Sequence, residues 1–293
     1  MTGAARSAAL QRSMPAVFVL IWSTGFVVAR FGMPHAPPLT FLCWRYTLSV
    51  LAFGVWIVAS GAAWPRTGRQ WLHLAVTGSL VHAGYLGGVW AAVKGGLGAG
   101  TAALVVGLQP VLTALWVSAG GQQHRVSARQ WAGLVLGLAG LVLVVWHKLG
   151  AGEVNATNLS LVLMALLSIT VGTLYQKRFV EPCDVRTAGT IQMLAALAVS
   201  APLAAFESGS MDWQPQLVGA LAWSVLALTL GGSSLLYLLI QHGVATRVTS
   251  LMFLVPPCTA VLAWLLFAEP LTALVLLGLT LSAVGVGLVV RER

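Results

Sequence analysis

Residues 140–145, Gly-Leu-Val-Leu-Val-Val, return as residues 285–290, Gly-Val-Gly-Leu-Val-Val, 145 positions later. Further from the two ends the recurrence runs at an offset of 148. It aligns Phe31 with Phe179, Pro34 with Pro182, Gly84 with Gly232, Gly95 with Gly243, Thr101 with Thr249, and Trp116 with Trp264. In so biased a composition each identity is weak alone, and the shared offset is the signal of an internal repeat.

The repeated unit is made of apolar segments. They run approximately over 14–32, 39–59, 71–93, 99–119, 130–147, 157–176, 187–206, 216–241, 247–267 and 271–290. Breaks between them carry turn-forming residues: Pro34, Pro37 and Pro38, then Trp64-Pro65-Arg66, then Gly95-Gly96. Across 293 residues the hydrophobic share is 58% and the charged share 8%, with a mean hydropathy of +0.88. A soluble domain needs about 25% charged residues to cover its surface, so a soluble fold is excluded. The same apolar excess excludes disorder. Ten helices of about 20 residues account for most of the chain. The fold class expected is an all-α polytopic membrane protein. Arg6 and Arg12 precede the first segment in the manner of a signal peptide, but no small-x-small cleavage site follows, so it reads as a membrane helix.

Each copy holds five helices, and an odd number makes the second copy enter the membrane from the opposite side. The expected organisation is therefore a tail (1–13), a first repeat (14–148), an external linker (149–156), a second, inverted repeat (157–290) and a short tail (291–293). Charge gives the orientation. All of the 16 Lys and Arg residues except Arg30, Arg45, Lys94 and Lys148 fall on one side, while Glu153, Glu207, Asp212 and Glu269 fall on the other. The positive-inside rule then puts both termini in the cytoplasm. The net charge of +9 is scattered between apolar stretches, which argues against nucleic-acid binding. Cys43, Cys183 and Cys258 have no metal-ligand spacing, and small buried hydrophobes are the expected role.

Inverted repeats around a midplane site are the mark of a carrier that opens to either side. Two five-helix copies with a proline in the fourth helix of each (Pro110; Pro256-Pro257) resemble the drug/metabolite transporter superfamily, EamA-type. The stretch from Phe253 through Pro256 to Glu269-Pro270, followed by a Gly-rich last helix, is similar to that family's ending. Gly120-Gly121-Gln122 stands in the first copy where the family carries an acid. Within the superfamily the chain looks most like bacterial exporters of aromatic amino acids. The resemblance implies a cytoplasmic (inner) membrane location and a central cavity built by helices one to four and six to nine. It also implies buttresses at helices five and ten. Gly133, Gly137 and Gly140 in helix five, with Gly278, Ser282 and Gly285 in helix ten, form small-residue faces suited to close packing within the chain or, alternatively, across a dimer. A monomer is expected to suffice.

Candidate substrate-binding residues follow from polarity in apolar surroundings. His82 and Tyr85 share a face of helix three that continues to Val89 and Val93. The offset of 148 carries this face onto Leu230, Ser233, Tyr237 and Gln241 of helix eight. Unsatisfied polar groups cost several kcal/mol in hydrocarbon, so they face a wet cavity or bond to neighbouring helices. Trp22, Ser23 and Phe26 of helix one correspond to the part of helix six that holds Tyr175. Trp22, Trp44 and Trp90 sit deep enough to stack on a substrate or to pack in the core. Arg45 lies inside helix two, where a charge is either functional or snorkels to the nearer surface.

No Walker A, HExxH or GxSxG sequence is present, so neither self-powered ATP chemistry nor those hydrolase patterns are expected, and no cofactor is expected. All seven carboxylates fall at expected loops or helix ends. That leaves facilitated diffusion or exchange open, with His82 the remaining proton site. The function expected is export of amino acids or related small metabolites. A carrier for lipophilic compounds or nucleotide sugars, and a non-transporting membrane enzyme or assembly factor, are the alternatives. Cysteine-accessibility labelling is expected to find positions near Arg66, Arg125 and Arg186 on the cytoplasmic side, and positions near Glu153 and Asp212 outside. Either terminus outside would overturn the inverted arrangement.

Overall fold

The computed structural model describes residues 3–119, 127–150, 152–235 and 254–290. Among them every regular element is helical. The helices are α1 (Gly3–Gly32), α2 (Pro38–Ser60), α3 (Gly68–Gly78), α4 (Tyr85–Lys94), α5 (Ala99–Val106), α6 (Gln109–Ala119), α7 (Ala128–Gly150), α8 (Ala156–Phe179), α9 (Val185–Ala204), α10 (Pro215–Trp223), α11 (Val255–Phe267) and α12 (Ala273–Val290). Two wider, π-helical stretches continue this pattern: Ser79–Gly84 joins α3 to α4, and Ser224–Ser233 extends α10.

Of the ten segments expected, seven are matched by helical stretches long and apolar enough to cross a membrane. The segment 71–93 is not among them, because Gly78, His82, Gly84, Tyr85 and Gly87-Gly88 dilute its apolarity and the π turn divides it. In the last part of the chain α11 and residues 273–288 are apolar but shorter. The segment expected over 247–267 is described only from Leu254 onward.

Local chemistry sets the helix ends. Pro38 occupies the first turn of α2, where its missing N–H has no intrahelical role. The same helix stops at Gly61, whose positive φ of 61° closes the last turn onto the Ile57 carbonyl. Asn155 and Asn158 form a reciprocal capping box at the start of α8. Asp184 caps α9, and the Arg186 side chain that hydrogen-bonds to it holds its carboxyl below the usual carboxylate range.

Packing brings distant segments together. The pairs are α2 with α9, α3 with α9, α4 with α8, α5 with α11, α1 with α10 and α11, and α7 with α12. The last pair confirms that the small residues of helices five and ten meet each other inside one chain. A methyl group on Gly140 would collide with the Gly278 backbone, and one on Gly285 with the backbone of Gly133 and Gly137. Ser282 donates to the Gly137 carbonyl at 3.3 Å. Cys43, Cys183 and Cys258 are partly exposed rather than fully buried. Gly78 plays a similar part between α3 and α9, where a Cβ would overlap the backbone of Gln192.

These contacts make a paired prediction. Gly78→Ala should force α3 from α9 and lower stability by about 1–3 kcal/mol, as overpacking does. Gly54→Ala, in open space on α2, should be neutral or slightly stabilising through helix propensity. Thermal unfolding in detergent reads both, and equal effects would refute the close approach.

Candidate functional site

A pocket lies among α1, α2, α4 and the two π stretches. Its lining comes from Trp22, Gly25 and Phe26 of α1, Arg45 of α2, and Val81, His82, Tyr85, Leu86, Val89 and Trp90 from the third segment. Leu228 and Ser233 of the second π stretch complete it. A mostly apolar wall with a few polar groups is the usual form of a ligand site. Widened turns recur at functional sites because they shift the carbonyl register and the direction of side chains.

The polar groups are held in place from behind. His82 Nε2 lies 3.2 Å from Oε1 of Gln192 on α9. Its backbone carbonyl accepts a hydrogen bond from the fully buried Tyr46 hydroxyl at 2.9 Å. Arg45 donates through Nε and Nη2 to the Thr229 hydroxyl, both at 3.2 Å. Thr229 in turn donates to the Ser224 carbonyl, five residues back, at 2.9 Å. Trp90 stacks on Phe41 with centroids 4.5 Å apart, and Trp22 packs against Phe18 at 5.2 Å. Tyr85 lines the cavity, and its hydroxyl has no protein partner among the described residues.

The structure thus brings together Trp22, Arg45, His82, Tyr85 and Trp90. It places three other candidates elsewhere. Ser23 is fully buried, donates to the Val19 carbonyl at 2.7 Å, and offers its own carbonyl to Thr259 of α11. Trp44 is 45% exposed and meets Trp213 edge-on near the start of α2. Tyr175 bonds to His73 at 2.8 Å and packs on Phe179, at the other end of the bundle. Tyr237 and Gln241 lie outside the described residues. Phe26, on the same stretch of helix one as Trp22 and Ser23, was named from the sequence, whereas Gln192 and Thr229 were passed over. Thr229 was reachable, because the offset of 148 pairs it with Val81, beside His82.

One end of the bundle is tied by carboxylates bound to helix starts. Glu207 accepts from the backbone N–H groups of Leu39 and Thr40, both at 2.8 Å, at the start of α2. Glu153 accepts from Gly98 N–H at 3.0 Å and pairs with Lys148; Glu269 accepts from Ala99 N–H at 3.0 Å, at the start of α5. His35 and Asp212 approach to 3.3 Å, and Lys94 donates to the Met33 carbonyl at 2.6 Å.

The two tyrosines of the site make a contrast that stability can read. Tyr46→Phe should strand the buried His82 carbonyl and cost about 1–3 kcal/mol. Tyr85→Phe should leave thermal stability nearly unchanged. The reverse order would mean that the Tyr85 hydroxyl is bonded within the protein.

Comparison with known proteins agrees with this architecture. The pattern of the EamA-like transporter family matches residues 13–146 and again residues 157–291. The "Uncharacterized inner membrane transporter YedA" of Escherichia coli strain K12 is 29% identical over 71% of this chain, and the match spans 66% of YedA. The "Probable amino-acid metabolite efflux pump" of Salmonella typhimurium strain LT2 is 26% identical over 91% of this chain and 90% of that protein. A solved crystal structure superposes with a TM-score of 0.68 over 94% of each chain at 19% identity, which is a likeness of fold. With both halves of the sequence matched by one family pattern, the chain belongs to the EamA-like transporter family.

Proposed function

We propose that this membrane transporter exports amino acids with aromatic or hydrophobic side chains, or metabolites derived from them, by alternating access. The observation that carries the reading is the cavity itself: aromatic faces from Trp22, Phe26, Tyr85 and Trp90 beside one buried guanidinium and an imidazole. An amino acid needs both kinds of wall, since its charged ends must be solvated while its body is desolvated. The relatives named as amino-acid metabolite efflux pumps support the substrate class.

Support for a two-sided mechanism comes from the packing. Exchange each helix with its counterpart one repeat away, and the contacts map onto one another. The contact of α1 with α11 becomes that of α8 with α5 and α6, and the first π stretch with α9 becomes the second π stretch with α2. The pairs α2 with α9 and α7 with α12 map onto themselves. In this reading ten spans form two inverted five-helix repeats with both termini in the cytoplasm, and the cavity lies where the halves meet. In this reading a single copy is enough for transport.

Among the described residues no carboxylate lines the cavity, and facilitated diffusion or exchange is the coupling we propose, with His82 the one proton site there. Purified protein in sealed liposomes should therefore give saturable flux of phenylalanine-like amino acids or their metabolites with no pH gradient. Strict dependence of downhill flux on ΔpH would refute the coupling. Absence of flux for a full amino-acid and metabolite panel would refute the function.

A further inference from the structure

We infer that Arg45 is the anchor for a carboxylate on the transported molecule, and that the load is a monocarboxylate with an apolar, aromatic body. The inference rests on the reading of the cavity as the substrate site and specifies the charge of what enters it.

Arg45 is 5% exposed, seven residues beyond Pro38. That is about 10 Å along the helix. A guanidinium so placed requires compensation, because desolvating an unpaired charge is costly. Two cations are buried among the described residues, and they are treated differently. Lys148 has Glu153. Arg45 has a neutral hydroxyl, Thr229, which takes two of its five N–H donors while its own proton is committed to Ser224. Arg45 also lines the cavity.

No resident carboxylate is left to balance it. Glu153, Glu207 and Glu269 are bound at the helix starts described above, Asp184 is paired with Arg186, and Asp212 with His35. Glu181 is exposed beyond the end of α8, and Glu292 is the penultimate residue. The undescribed stretches 120–126 and 236–253 contain neither Asp nor Glu. The counter-charge therefore has to arrive with the ligand. A planar guanidinium edge accepts a carboxylate through two parallel N–H···O bonds.

The same accounting limits the ligand to one negative charge. The position that corresponds to Arg45 in α9 is Met193, buried and uncharged. Among the described residues that line the cavity there is no second Lys or Arg to meet a second carboxylate. An ammonium would find ring faces and neutral oxygens but no acid, so a zwitterion binds less tightly than the matching carboxylic acid, and an amine less tightly still. Trp22, Phe26 and Trp90 then take the apolar body.

Three compounds that share one ring and differ in their charged ends test this: 3-phenylpropionate, phenylalanine and phenethylamine. Binding is read on the purified full chain by tryptophan fluorescence and by competition for flux in liposomes. The parent should prefer phenylpropionate to phenethylamine by about 10–100-fold, the value of a charge-assisted hydrogen-bonded pair, with phenylalanine between. Arg45→Gln should collapse that preference to about threefold or less, and Arg45→Lys should keep part of it, since it retains the charge and loses the fork. If Arg45→Gln fails to fold, the parent's order and Arg45→Lys still decide the matter. Equal binding of all three by the parent overturns the inference. So does an undiminished preference in folded Arg45→Gln, which would make Arg45 structural. Flux of other amino acids with no binding of these three overturns the inference alone, whereas no flux of any candidate overturns the transport reading as well.

Discussion

Hydrocarbon offers no hydrogen bonds, so each polar group taken into it must find its partner in the protein or border a space that water or ligand can fill. Nearly every feature of this chain follows from that constraint. Backbone groups are satisfied within helices, and helix starts that reach the end of the bundle receive carboxylates from other segments: Glu207 for α2, and Glu153 and Glu269 around α5. Several side-chain hydroxyls inside the helices bond to carbonyls in the preceding turn, as Ser23 does with Val19 and Thr170 with Leu166, whereas those of Ser49, Ser200, Ser224 and Ser234 are buried without a partner among the described residues. Close approach is left to glycine, which brings no side chain between α7 and α12.

The cavity is where the constraint is relaxed. Two π stretches face it, at residues 79–84 and 224–233, and the offset of 148 superposes the first on residues 227–232, inside the second. A wider turn lets the hydroxyl of Thr229 reach the Ser224 carbonyl while accepting from Arg45. The first stretch turns the His82 ring toward Gln192 and its carbonyl toward Tyr46. Arg45 and His82 thus stand at the edge of an apolar chamber, each fixed from its far side. Fixed donors and acceptors bind without first losing conformational freedom.

Much of this was legible in the amino-acid order, for identifiable reasons. Composition decided the solvent, and the recurrence of Gly84 at Gly232 and Trp116 at Trp264 exposed the duplicated plan. Arg45, His82 and Tyr85 were conspicuous because polar side chains are costly in apolar segments. The widened turns were not legible, since an extra residue per turn is a tertiary compromise without a residue signature of its own. Trp44 and Trp90 look alike in sequence, yet Trp90 packs on Phe41 inside and Trp44 meets Trp213 at the rim. Helical periodicity groups residues on a face but does not say which face looks inward. Thr229 was overlooked because a threonine in a membrane helix commonly satisfies itself on its own backbone.

The carboxylates that bind helix starts have a mechanical meaning. At the end of the bundle that holds Met33 and Pro38, separation of the segments would strip ionised oxygens from backbone N–H groups in at least three places. At the opposite end the described hydrogen-bonded cross-links are between neutral groups, namely Gln70 with the Glu181 backbone, Thr187 with the Ala63 carbonyl and His73 with Tyr175, beside the Arg186 guanidinium that lies over the Trp56 ring. Hydrogen bonds to ionised groups are roughly twice as strong as neutral ones. Among the described residues, the end that holds Met33 and Pro38 therefore carries the charge-assisted ties between backbone and side chain, and in this respect the bundle resembles a spring clamped harder at one end.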